Sequence, residues 1–264
     1  MKSAVPACAL AVFLGVTPAA RGQDMLSLVD LSSPAMTQAE FSRDQVLAKA
    51  RAANAQTPAD FADTGLNGLN LSGLDLSGAN FRAARLNNIN LAGAKLKGAI
   101  LDQAWMLRAD MTDADLTGAG LFQTQLQRAK LDGADFSGAR IAADMTGSSL
   151  KGAKFAGSNL AADMKNQSMG LMRAVFTSAD LQGADFSGAD LGRANLEFTS
   201  LKGANLSGAN LMSAQLAGAD LTGANITDAN FAGADLDGAK IVDVIGADTA
   251  NLGRAKNLSR ATRK

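Results

Sequence analysis

Few side chains in this sequence can do chemistry. The chain contains no His and no Tyr, and its one Cys, Cys8, lies in the first ten residues. If that start is removed, zinc ligation by Cys or His, thiolate catalysis, disulfides and Ser-His-Asp chemistry have no residues to work with. The acids are almost all aspartates, with Glu40 and Glu197 the only glutamates. Acid–base catalysis needs carboxyls of tuned pKa in a cleft, and aspartates repeated at a fixed short spacing are not arranged that way. Neither an enzyme nor a cofactor site is expected. The residues left to consider are the single Trp, Trp105, and a methionine-rich run near 164–172.

What positions these residues is a period. From Phe61 to Ile241 a large apolar residue returns at every fifth position: Phe61, Leu66, Leu71, Leu76, Phe81, Leu86 and onward. A small residue, usually Ala, precedes each centre by two, and Asp or Asn by one. Period five fits neither the 3.6 of a helix nor the 2 of a half-buried strand. It fits a square coil whose side is five residues, so that four units close a turn every 20 residues and centres 20 apart stack. The centre and the Ala point inward, and the Ala lies near a corner where a larger side chain has no room. Gly often falls two residues after the centre, as in Leu76-Ser77-Gly78. A type II turn needs φ > 0 at that point. One unit buries nothing, but a stack of units buries a continuous core.

Units such as "SGANF", "TGADL" and "KGANL" resemble the pentapeptide-repeat family, whose motif is A-(D/N)-L-x-x. The resemblance covers about two-thirds of the chain. It implies an all-β solenoid, a right-handed quadrilateral β-helix, here of about nine coils. Function is not implied, because the motif residues are the packing residues.

The repeat breaks twice. Ile141 to Leu150 is one residue short of two units, and Leu160 to Leu171 is one over, so 171 onward returns to the original phase. The local sequences match: Ile141-Ala-Ala-Asp-Met145 and Leu160-Ala-Ala-Asp-Met164. The excess lies in Lys165-Asn166-Gln167-Ser168-Met169-Gly170, followed by Leu171, Met172 and Arg173. This stretch is expected to bulge outward and offer an adaptable contact surface of amides and thioethers. Trp105, one before a centre, is expected to face outward on the same side, with Ile100 on the adjoining face and Arg108 at the next corner. An exposed Trp beside Arg is the composition of an interaction hot spot. Twenty-residue stacking would also set Asp144, Asp163 and Asp185 in one outward column, with Lys165 as counter-charge. Calcium would need six or more oxygens there, and no metal is expected. Met145, Met164, Met169 and Met172 could offer thioethers to Cu(I), but Met106, Met111, Met145 and Met164 occupy centre slots and are expected in the core.

The ends differ from the middle. Residues 1–22 read as a secretory signal, with Lys2, an apolar run from Ala4 to Val16, and Ala20-Arg21-Gly22 as the cleavage site. That run is too short to span a membrane, so a periplasmic or secreted protein is expected, with no membrane insertion of the mature chain. Residues 23–58 carry the pattern Thr37-Gln38-Ala39-Glu40, read as a capping box starting a helix of about 15 residues that covers the first coil. Phe41, Val46, Leu47 and Ala50 supply its apolar positions, and Pro58 stops it. The repeat is assigned to 59–242, and 243–264 to a C-terminal cap with a basic tail. Between 23 and 253 there are 18 basic and 25 acidic residues, a net of −7. Known members of the family with acidic rods imitate duplex DNA and bind type II topoisomerases. A charge of −7 is weak mimicry of a duplex, which carries a charge every ~1.7 Å, and an export signal would separate the two proteins. The preferred expectation is a scaffold that binds a protein partner; nucleic acid is not expected, and a homodimer through an end cap is the assembly considered.

Overall fold

The computed structural model describes residues 29–54, 56–164 and 172–263. The chain divides into two compact units, Met1–Leu31 and Ser32–Lys264, and the solenoid lies in the second. The signal segment read at 1–22 lies outside the described residues.

The solenoid consists of four ladders of parallel bridges, one per face. The first begins Asp60–Asn80–Ile100, the third Asn70–Asn90–Asp110 and the fourth Asp75–Lys95–Asp115. The second runs Gly65–Arg85–Trp105–Gln125–Asp144–Val175–Asn195–Gln215–Asp235–Lys256. Each centre donates its N–H to the carbonyl before the centre above, as Leu86 to Trp105 at 2.6 Å and Leu91 to Asp110 at 2.6 Å. Centres and alanines are buried as the five-residue pattern requires.

The corners show why the motif carries Asp or Asn. Asp75 Oδ1 accepts from the Ser77 N–H at 3.1 Å and from the Ser77 hydroxyl at 2.7 Å. The same brace recurs at Asp115 with Thr117 and at Asp220 with Thr222. Gly78 follows the brace with φ 69°, the left-handed conformation expected at this position. Several corners adopt it without glycine, among them Arg108 and Arg128. Asparagines also form side-chain ladders, Asn210 donating to Asp190 at 2.8 Å, Asn230 to Asn210 at 3.1 Å and Asn251 to Asn230 at 2.8 Å.

The two breaks do not return the chain to its former faces. The rung from Gln125 to Asp144 is 19 residues, and that from Asp144 to Val175 is 31. Every face shows the same long step, as in Lys154 to Asp185. The pentapeptide phase is restored, but two units' worth of chain stays outside the coil, so each later centre sits two faces from where uninterrupted winding would set it. At the first break, β1 (Gly120–Gln125) and β2 (Arg140–Asp144) pair in parallel, with the register shifting between Phe122 and Gln125. At the second, the chain leaves after Leu160 and is pinned on return by Asp163 N–H to Met172 O at 3.1 Å and Ala174 N–H to Leu160 O at 3.3 Å. The core runs on beneath: the Phe155 ring stacks on Phe136 at 4.9 Å and on Phe186 at 4.6 Å.

Helix α1 spans Pro34–Thr37 and α2 Arg43–Ala52. The capping box lies five residues beyond the expected one: Ser42 Oγ accepts from Gln45 N–H, and Gln45 Oε1 from Ser42 N–H at 2.7 Å. Thr37 instead donates to Ser33 O, and Glu40 pairs with Arg85. Val46 of α2 is fully buried, and Phe41 meets Phe61 edge-on at 6.3 Å. At the other end the ladders continue into the residues expected to lose the period. Asp235 pairs with Lys256 and Lys240 with Thr262, while Arg260 Nε lies 2.8 Å from Asp237.

Candidate interaction surface

Trp105, half-buried, occupies the second ladder between Arg85 and Gln125, two rungs from Asp144 and three from Val175. Ile100 is half-buried on the first ladder, and Arg108 is exposed at the corner between the second and third faces, with φ 56°. The base of the excursion lies at the corner between the first and second faces. There Gln103 Nε2 donates to Gln123 Oε1 at 3.2 Å, and Gln123 Nε2 donates to Met172 Sδ at 3.1 Å. Lys165, Asn166, Gln167, Met169 and Leu171 lie outside the described residues, so the expected outward bulge and the Lys165 counter-charge do too.

The aspartate column does not form. Asp144 stacks between Gln125 and Val175, whereas Asp185 lies on the fourth ladder between Lys154 and Asn205. Asp163 lies at the base of the excursion, 3.4 Å from Arg140. The reason is the long step, which carries 185 two faces away. Asp144 Oδ1 accepts from Thr146, and Oδ2 from Gln127 Nε2 at 2.8 Å. Met164 is likewise not in the core: it is 43% exposed, because Phe176 rather than Met164 fills the slot beneath Met145. Met145 is fully buried, and with Met172's sulfur engaged by Gln123 the thioethers are not gathered among the described residues.

Beside the base of the excursion lies an open groove of about 420 Å³ lined by Phe122, Arg140, Ala142, Ala161, Asp163 and Met164. Arg140 sits over the Phe122 ring at 6.0 Å. On the return limb, Arg173 Nη2 donates to Gln215 Oε1 at 2.9 Å and Nη1 to Arg193 O at 3.3 Å, spanning two rungs. Burial lowers the Arg173 pKa, with Glu197 opposing. The motif aspartates are braces rather than free acids. Hydrogen bonds from Ser77 hold Asp75 below the usual carboxylate range, and those from Thr117 do the same for Asp115. At Asp220 burial raises the pKa, but Thr222, Lys202 and Lys240 together outweigh it and the net shift is downward. Lysines pair with aspartates on neighbouring rungs, as Lys95 with Asp75 and Lys154 with Asp135. Among the described residues no His, Cys, Asp or Glu cluster could hold a metal ion, and no helix is long and apolar enough to cross a membrane.

The model of the family described as pentapeptide repeats matches in eight copies: 59–98, 75–113, 89–124, 109–142, 121–161, 171–193, 189–228 and 209–245. The chain belongs to the pentapeptide-repeat family. The family matches leave out 162–170, where the coil is interrupted. Among solved structures this pentapeptide-repeat protein is similar to HetL, a pentapeptide repeat protein involved in heterocyst differentiation regulation from the cyanobacterium Nostoc sp. strain PCC 7120. Identity is 29% over 84% of this chain and 94% of that one, with a TM-score of 0.47. It is also similar to QnrB1, a plasmid-mediated fluoroquinolone resistance protein, at 17% identity over 75% and 83%, with a TM-score of 0.37. A pentapeptide repeat protein of the Arabidopsis thaliana thylakoid lumen is 31% identical over 45% and 69%, with a TM-score of 0.20. No curated protein matches.

Proposed function

We propose that this pentapeptide-repeat chain is a non-catalytic exported scaffold that binds another protein through one side of its solenoid, around Trp105 and the excursion between Leu160 and Ala174. In this reading the solenoid is a right-handed quadrilateral β-helix of about nine coils, with α2 covering its first coil. One observation carries the reading. The only Trp and the only long step share the second ladder, Trp105–Gln125–Asp144–Val175. A regular coil needs no such interruption for its stability, because the Phe136–Phe155–Phe186 stack continues beneath it. The apolar floor of Phe122, Ala142 and Ala161, bordered by Arg140 and Asp163, suits a contact of apolar centre and polar rim. Imitation of DNA has less support, because aspartates on the third and fourth ladders are interleaved with lysines that cancel the acidic stripe. The basic start and apolar run of 1–22 support export.

The test is cross-linking in the compartment where the processed protein is found, comparing wild type, Trp105→Ala and a deletion of 164–171. Loss of one specific cross-linked species in both variants, at unchanged protein level, is the expected outcome. Equal recovery from all three would reject the reading.

A further inference from the structure

At the corner between the second and third faces, two successive rungs carry arginine where this fold favours glycine. Arg108 has φ 56° and Arg128 has φ 60°, both in the left-handed region that costs any residue with a Cβ. They are neighbours along the stack: Arg108 N–H donates to the carbonyl of Gln127, the residue before Arg128, at 3.1 Å. Successive rungs are about 4.8 Å apart, so two like charges start from adjacent backbone positions. Both residues are exposed, and among the described residues neither guanidinium has an ion-pair or hydrogen-bond partner. The nearby carboxylates are already engaged, Asp110 by Thr112 and Lys130, and Asp144 by Thr146 and Gln127. The next rung is Gly147, whose missing side chain leaves room for Arg128, with Arg128 Cγ 3.8 Å from where a Cβ would stand.

Strain and charge repulsion thus coincide at two adjacent positions with no compensating contact in the chain. Side chains kept under such conditions point to a ligand outside the chain. Two guanidiniums at rung spacing match oxygens carried by carboxylates on a neighbouring chain, through charge-assisted hydrogen bonds. Trp105 is three residues before Arg108 and Gln125 three before Arg128, so the pair adjoins the Trp105 rungs directly. We infer that Arg108 and Arg128 form a paired-guanidinium site that takes an acidic segment of a protein partner. The inference rests on the interaction surface proposed above and names the chemistry of what that surface receives.

The experiment is isothermal titration calorimetry of the full chain with a hexaglutamate peptide, a hexalysine peptide and inorganic phosphate. It compares wild type with Arg108→Gly/Arg128→Gly and, separately, with Trp105→Ala. Hexaglutamate should bind wild type at low salt, hexalysine should not, and the double variant should weaken hexaglutamate by about tenfold or more. Because glycine relieves both left-handed positions, the double variant should melt at or above the wild-type temperature, so a loss of binding cannot be ascribed to unfolding. No hexaglutamate binding by wild type, equal binding by the double variant, or phosphate binding without peptide binding would overturn the inference. A lower melting temperature of the double variant would do the same, by showing that the arginines serve the fold. Hexaglutamate binding that survives Trp105→Ala, with cross-linking also unaffected by that variant, would leave the arginine site standing and remove the Trp105 surface.

Discussion

Phe155 and Phe198 should respond in opposite ways to loss of their rings. Phe155 is fully buried, stacked at 4.9 Å and 4.6 Å on Phe136 and Phe186, with Phe176 edge-on at 5.9 Å. Replacing it with Ala removes an aromatic side chain from a core held by neighbours above and below, which cannot collapse without breaking the ladders. The expected loss is about 4 kcal/mol, within the usual span for Phe→Ala in a core, of which the two stacked pairs account for about 1 kcal/mol each. Phe198 is 65% exposed at a left-handed corner, φ 58°, with its ring lying over Gly218. Phe198→Gly removes backbone strain of about 1–2 kcal/mol and gives up only partial burial, so its net effect should lie within about 1 kcal/mol of zero. Urea unfolding followed by circular dichroism measures both. Because stability in a stacked coil is a sum of neighbour terms, Phe155→Ala should also broaden the transition as the two halves uncouple. A Phe155→Ala loss below about 1.5 kcal/mol, or a Phe198→Gly loss as large as that of Phe155→Ala, would refute the packing described here.

Two further outcomes follow from the corners and their braces. A Cβ on Gly246, at φ 80°, would stand 2.4 Å from Thr227 Cα and 2.6 Å from Thr227 N, whereas one on Gly78, at φ 69°, would meet nothing within 4 Å. Gly78→Ala should therefore cost about 1 kcal/mol from backbone strain alone, and Gly246→Ala clearly more, read as the difference in thermal midpoints. Asp75 and Asp115 have folded pKa values below their unfolded ones. Their contribution is complete above the unfolded carboxylate range, near pH 4, and is lost as pH falls through the lower folded values. Thr117→Val, which removes one brace on Asp115, should flatten the acid-side loss of stability in urea midpoints measured down to about pH 2.5; an unchanged slope would contradict the brace.

Much of the fold could be read from the sequence because one short period fixes both burial and turns. Leu, Ala and Gly recur where a square coil needs a core residue, a small corner residue and a left-handed turn. What could not be read is where the chain resumes winding after Leu160. The pattern at Phe176, Leu181 and Phe186 is satisfied whether the preceding residues are wound in or left out, since omitting whole units preserves the phase. The choice depends on non-local stacking, Phe186 on Phe155 and Val175 beneath Asp144, which spacing does not encode. Met164 looked like a core centre because its local sequence copies that of Met145. The helix start was misplaced for a similar reason: Thr37-Gln38-Ala39-Glu40 has the letters of a capping box, but Glu40 is drawn to Arg85, a residue 45 positions away. Trp105 and Arg108 stood out from the pattern by their residue types. Arg128 was missed because a corner residue was judged by whether it was glycine, and not by what its non-glycine neighbours on the stack had in common.

The account depends most on the 31-residue step that sets Val175 beneath Asp144 on the second ladder. Bridged neighbours lie about 4.8 Å apart, within the Cα range a disulfide accepts. In a Cys8→Ser background, Asp144→Cys paired with Val175→Cys should oxidise readily to an intramolecular disulfide. Lys154→Cys paired with Val175→Cys should not, because Lys154 belongs to the fourth ladder and bridges Asp185. Cross-linking of the 154–175 pair in place of the 144–175 pair would mean that the chain winds on without leaving the coil.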